Sequence, residues 1–214
     1  QEIKDKTRVI YPFSPWALIA SIILAPPLFK RRFFEALANA LFGERESLPA
    51  RIKCLCHFLV ACHWARQLQY EAVSHIHAQW VHSSGTVGMY GAWLLGVTFS
   101  FTGHGSDVFQ YQYALKDKIK RADFIICIST FHKDYYKKLG ARDEQLYLAY
   151  CGIDVESFTP RPRGIKSGEK IEIISSGRLV EKKGFKYLID ACKILLDQGA
   201  RFECTIAGGG PLEQ

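Results

Sequence analysis

Three cations stand close together in one short stretch of this 214-residue chain: Arg178, Lys182 and Lys183, within SSGRLVEKKGF. The run before them, Ile171–Ile174, is apolar and β-branched and is expected to form a buried parallel strand. Beyond Gly184 the period changes. Phe185, Leu188, Ile189, Cys192, Leu195 and Leu196 fall at the spacing of one helix face. The cations therefore sit on a loop between strand and helix. Beside them a helix N-terminus offers unpaired N–H groups and the positive end of its dipole. Such a loop suits a diphosphate or another compact anion. A merely solvated turn would look the same, and spacing alone leaves both readings open.

A second set of polar residues follows the strand VTFSFT, Val97–Thr102, in GHGSDVF. In open α/β sheets ligands bind beyond the carboxyl ends of the strands. His104 and Asp107 lie there, between glycines that permit tight turns. Asp107 could equally cap the helix that follows. His75 and His77 alternate with Ile76 and share one strand face, and with no third ligand beside them they read as structural. Cys54, Cys56, His57, Cys62 and His63 look like a metal cluster only until they are placed on a helix, where they scatter around the cylinder; no metal site is expected. Seven cysteines, an odd number with no CxxC, give no disulfide framework and suggest a reducing compartment.

Thr7–Tyr11 is a short strand candidate ended by Pro12. The apolar run from Trp16 to Ala25 is too short to span a bilayer and is expected to be closed by Pro26–Pro27. Lys30, Arg31 and Arg32 follow at once. The stretch fits a core helix with a solvated basic end, or a helix lying at a membrane interface. Phe33–Phe42 continues as a helix to Gly43, and a long helix runs from about Pro49 to Val73 with Ile52, Leu55, Leu59 and Cys62 on its apolar face. Strands are expected at Ser74–Trp80, Ala122–Ser129 and Phe202–Ala207, with a strand and turn over Leu146–Pro160. Gly96 and Gly140 end the helices between them, and Ser129 is placed to cap the helix Thr130–Leu139. A hydrophobic fraction of 48% against 23% charged residues argues for a folded chain. The net charge of +7 is dispersed apart from Lys30–Arg32, Lys116–Arg121 and Lys182–Lys183, so no nucleic-acid stripe is read.

The letters carry more than the spacing. GRLVEKKGF resembles the donor-diphosphate loop of the retaining glycosyltransferases with two Rossmann-like domains, the GT-B enzymes of glycosyltransferase family 4. Within that family the likeness is to the branch that builds exopolysaccharides such as colanic acid and amylovoran. The HIHA strand before a small-residue helix, the T-x-H-x-x-D segment Thr102–Asp107, the glycine–isoleucine–aspartate turn Gly152–Asp154 and the GGGP turn all match it. Cys151 stands where many relatives outside this branch have asparagine, and nothing pairs it with a base.

The resemblance implies an α/β fold of GT-B type. Residues 1–160 would form an acceptor-side Rossmann-like domain lacking its first glycine-bearing strand. Residues 161–170 would be a linker, and 171–214 the first part of a nucleotide-sugar domain whose later glutamate-bearing segment is absent, so that the chain alone could be inactive. The donor diphosphate is expected on Gly177, Arg178 and Lys183, with His104 facing the transferred sugar. Gly103, Asp107, Gly209, Gly210 and Pro211 are expected to line the cleft. The implied reaction moves a sugar from a nucleotide-sugar donor, with retention, to a lipid-linked saccharide, with no metal or cofactor; the partners would be donor, acceptor and an anionic membrane surface, not nucleic acid. The opening QEIKDKTR shows no signal-peptide pattern, so a cytosolic location is expected, peripheral to the plasma membrane. Two other functions fit the same architecture, a nucleotide-sugar epimerase and a non-catalytic membrane-binding module.

Overall fold

The computed structural model describes residues 7, 9, 14–110, 112–159 and 170–213. The strand candidate Thr7–Tyr11 and the linker lie outside these, apart from Thr7, Val9 and Lys170. The chain divides into two compact units, Gln1–Ile153 and Asp154–Gln214.

The first unit opens with three helices, α1 (Pro15–Phe29), α2 (Arg31–Phe42) and α3 (Leu48–Leu68). Four parallel strands follow: β1 (His75–Ala78), β2 (Thr98–Gly103), β3 (Phe124–Cys127) and β4 (Leu146–Leu148), adjacent in sequence order. The crossovers are α4 (Ser83–Leu95), then α5 (Gly105–Phe109) with α6 (Leu115–Arg121), then α7 (Thr130–Lys138). Alternation along the strands sends Ile76, Ala78, Phe99, Phe101, Ile125 and Cys127 to one buried face. There they meet Phe58, Met89, Tyr90, Leu94 and Tyr136 from the helices. The opposite face carries a polar ladder. His75 bonds Thr98 and Ser100 at 2.6 Å each, His77 bonds Ser100 at 2.7 Å and Thr102 at 3.0 Å, and both imidazoles stack on Phe124. These histidines serve as cross-strand partners, in line with the structural reading.

Two expectations change in these helices. The helix α1 does not stop at Pro26–Pro27 but runs through them to Phe29, and only Lys30, at φ 50°, ends it. The prolines occupy the last turns, where the carbonyls they leave unpaired belong to an exposed stretch that includes Ile23 and Leu24. In α3, Cys62 is buried and Leu55 and Leu59 pack against the core as expected, but Ile52 is exposed; Ala50, Cys54, Phe58, Ala61 and Ala65 complete the buried face. Large side chains of α3 make the contact with α4: a Cβ on Gly91 would stand 3.0 Å from the Trp64 ring, and Phe58 meets Tyr90 edge-on with centroids 5.5 Å apart. Ser47 caps this helix through its hydroxyl, accepting from Ala50 N at 3.2 Å, with Pro49 in the first turn as expected.

The second unit holds one parallel pair, β5 (Ile171–Ser176) and β6 (Phe202–Ala207), joined through α8 (Phe185–Asp197). The strand β5 is parallel as expected but not buried: Ile174 is 68% exposed. Phe185, Leu188 and Cys192 of α8 are half-buried, whereas Ile189, Leu195 and Leu196 stay open. A single helix covers only one face of a two-stranded sheet, so the other side of each strand keeps its solvent. Among the described residues no helix is long and apolar enough to cross a membrane.

Candidate active site

In the second unit the loop after β5 is built by its own backbone. Gly177 N donates to Ala207 O at 3.0 Å, Leu179 N to Gly209 O at 3.0 Å, and Leu212 N to Leu179 O at 3.2 Å. The segment Gly177–Leu179 is thus zipped to the glycine run that leaves β6. The approach is close enough to exclude side chains: a Cβ on Gly208 would lie 1.9 Å from Gly177 O, and one on Gly210 2.5 Å from Leu179 O. Glycine is required there by contact, not by turn propensity alone. A 3-10 turn, Glu181–Lys183, then carries the two lysines, and Gly184 at φ 69° turns the chain into α8. The Lys183 stem lies beside Gly177, 3.9 Å from where a Cβ would stand. Arg178, Lys182 and Lys183 are all exposed, and among the described residues none of their side chains has a hydrogen-bonding or ionic partner. Gly177, Arg178 and Lys183 are therefore gathered on one loop, with Gly209, Gly210 and Pro211 on the turn that clasps it.

In the first unit His104 stands where β2 ends, ahead of α5. Its imidazole meets Trp80, ring centroids 4.3 Å apart, and its Nε2 lies 3.3 Å from Gln79 Nε2. Gln79 and Trp80 leave the carboxyl end of the neighbouring strand β1, so adjacent parallel strands deliver the three side chains to one edge. Asp107 lies beneath this rim rather than on it. It is 1% exposed, its Oδ1 accepts from His104 N at 2.8 Å and its Oδ2 from Val81 N at 2.8 Å. The helix-capping alternative describes it well. Gly103 is also buried: a Cβ there would stand 2.1 Å from the Tyr136 hydroxyl, so its absence makes room for α7. His132 of α7 sits nearby. Burial lowers its pKa, with Asp107 pulling the other way, and its Nδ1 and the Tyr136 hydroxyl have no partner among the described residues. Trp80 also lines a cavity of about 490 Å³, with His57, Trp64, Ile76 and Val87.

The family model described as glycosyltransferase family 4 matches residues 21–157, well over half of the chain. The chain belongs to glycosyltransferase family 4. A second model, glycosyl transferases group 1, matches residues 158–214 of this family 4 chain, the part that carries Arg178 and Lys183. WcaL of Escherichia coli strain K12, named for colanic acid biosynthesis, is 34% identical over 118 residues, 52% of this chain and 29% of WcaL. The amylovoran biosynthesis glycosyltransferase AmsK of Erwinia amylovora is 32% identical over 117 residues, 51% of this chain and 28% of AmsK. The chain thus corresponds to less than a third of these relatives' length. HepE of Anabaena, crystallised with UDP and glucose, superposes with a TM-score of 0.52 over 71% of this chain and 43% of HepE, at 16% identity. That likeness fixes the fold as α/β of GT-B type. Among the described residues no three His, Cys, Asp or Glu side chains are grouped to hold a metal ion.

Sequence reasoning passed over four residues that the fold brings to the His104 edge: Gln79, Trp80, Lys118 and His132. Trp80 and Gln79 could have been found by reading the exit of β1 as a carboxyl-end loop in the way GHGSDVF was read. Nothing local marks Lys118, which sits in a run of basic residues like any solvated face.

Proposed function

We propose that this chain takes part in transferring a sugar from a nucleotide-sugar donor, with retention at the anomeric carbon, to a lipid-linked saccharide during exopolysaccharide assembly. One observation carries the reading: an exposed loop, clasped by backbone bonds to a glycine run it cannot do without, presents Arg178, Lys182 and Lys183 with no ion-pair partner among the described residues. An anionic ligand supplies what the loop lacks. Arg178 and Lys183 hold the donor diphosphate and stabilise the charge that grows on it as the glycosidic bond breaks. A fixed loop costs little reorganisation at that moment. His104, with Trp80 and Gln79 beside it, serves the sugar side. The names of WcaL and AmsK support an exopolysaccharide product, and the UDP and glucose bound by HepE support a nucleotide-sugar donor.

The acceptor's lipid places the reaction at the cytosolic surface of a membrane, and α1 is the means of contact we favour. Trp16, Ile19, Ile23, Leu24 and Leu28 are exposed along it, and Lys30–Arg32 follow.

The test is Arg178→Ala in an active protein carrying this sequence, assayed with a panel of UDP- and GDP-sugars. Turnover is expected to fall on the order of 100-fold, with the melting temperature unchanged because the side chain is exposed and unpartnered. Full activity in this variant would sink the diphosphate assignment.

A further inference from the structure

The loop that carries Gln79 and Trp80 is held by groups that sequence reasoning left out. Beyond Ala78 the chain leaves the sheet, yet the backbone of Val81 is bonded on both sides. Its N–H donates to Asp107 Oδ2 at 2.8 Å, and its carbonyl accepts from Lys118 Nζ at 2.5 Å. The same Nζ donates to His82 O at 2.9 Å. Asp107 Oδ1 meanwhile accepts from His104 N at 2.8 Å. The carboxylate thus ties the exits of two neighbouring strands together, and the amine ties the first of them to α6, beside the contact of Trp80 with His104. Lys118 is 1% exposed. Burying a lysine head is costly unless its hydrogens are used, and an apolar side chain of the same length would fill the space at α6 without that cost. The amine must hold something worth the expense.

We infer that Lys118 is a positioning residue: by gripping the Val81 and His82 carbonyls it fixes Trp80 against His104. The kinetic consequence rests on the sugar-transfer reading above, whereas the geometric one does not. An amine, charged or neutral, has at least two N–H groups for the two carbonyls, so the grip does not depend on its protonation.

Lys118→Met keeps the stem and removes both bonds. In an active protein carrying this sequence it is expected to lower kcat on the order of 30- to 100-fold per folded enzyme, with donor KM changed less than about threefold because the diphosphate loop belongs to the other unit. Lys118→Gln, whose amide donates two N–H bonds, should recover part of kcat. Proton NMR reads the geometry directly. A ring 4.3 Å away displaces the His104 ring-proton resonances, and Trp80→Ala gives their undisplaced positions. In Lys118→Met they should move towards those positions. Wild-type kcat in that variant, or a lowered melting temperature with the His104 resonances unmoved, would reduce Lys118 to a staple and overturn the inference. Should Lys118→Met not fold, Trp80→Ala decides, since Trp80 is half exposed. Full kcat there means the clamp holds nothing that transfer needs. If the unmutated protein transfers no sugar from any donor, the functional reading fails by itself, and the resonances still decide the clamp.

Discussion

Lys118 shows how far burial can separate a residue from its type. Loss of solvent lowers its pKa to about 7 from the ordinary 10.5, and Arg45 pushes it further down. Cys54 of α3, Glu46 and Asp107 oppose the shift. An unfolded lysine stays protonated up to roughly pH 10. Above pH 7 the unfolded chain therefore binds more protons here than the folded one, and stability rises with pH through that window. Below it both states are charged and the contribution is flat. Buried Cys62, pushed up to about 12, and buried Tyr90, also raised, act in the opposite sense once their unfolded counterparts ionise. The gain should thus be seen between about pH 7 and 8.5. Thermal denaturation at those two values checks it: the melting temperature should rise in the unmutated protein and stay level in Lys118→Met. A level result for the unmutated protein would mean that the amine is more solvated than its contacts imply. On the acid side His57, lowered to about 4 by burial, subtracts stability as pH falls from about 6.5.

At the scale of the element, the loop after β5 depends on the turn after β6. Gly208→Ala places a methyl 1.9 Å from the Gly177 carbonyl, and both neighbours are backbone, so the two strand exits must part. The expected cost is about 1–3 kcal/mol of stability, together with at least a tenfold weaker titration by nucleotide sugar, read by calorimetry. Unchanged affinity would show that the clasp does not shape the anion loop. The same scale explains the turn of α3. Phe58 and Trp64 turn inward against Tyr90 and Gly91 of α4, while Ile52, on the same expected stripe as Cys62, faces solvent. A helix's periodicity says that one face is buried. The partner's shape chooses which.

For the whole molecule the question is attachment. Trp16 is 78% exposed and Ile23 67%, while Arg31 pairs with Glu35 at 2.6 Å and Arg32 bonds Leu95 O at 3.0 Å. These exposed or backbone-directed bonds are weak enough to yield to a charged surface. Each basic group near anionic lipid contributes on the order of 1 kcal/mol, less at high salt. Sedimentation with liposomes should show binding that needs anionic lipid, falls with salt, and drops when Lys30, Arg31 and Arg32 are made neutral. Equal recovery in the supernatant with neutral and anionic liposomes at low salt would end the membrane reading and leave the sugar-transfer reading standing.

What the sequence determined by itself is what depends on neighbours along the chain. The strands β2, β3, β5 and β6, the helix after Gly184, the Ser129 cap and the loop bearing Arg178 and Lys183 were all legible, because periodicity and turn chemistry act over a few residues. Family membership was legible for the same reason, since its motifs are short. The tertiary structure alone decided that Ile52 of α3 stays in solvent, that β5 keeps an open face, that α1 passes through its prolines, and that Asp107 and Lys118 reach from different helices to one stretch of backbone at Val81. Those outcomes are set by contacts between residues as many as 37 positions apart. A lysine among basic neighbours has no local feature that distinguishes a solvated ammonium from a buried one; only the packing around it removes the water.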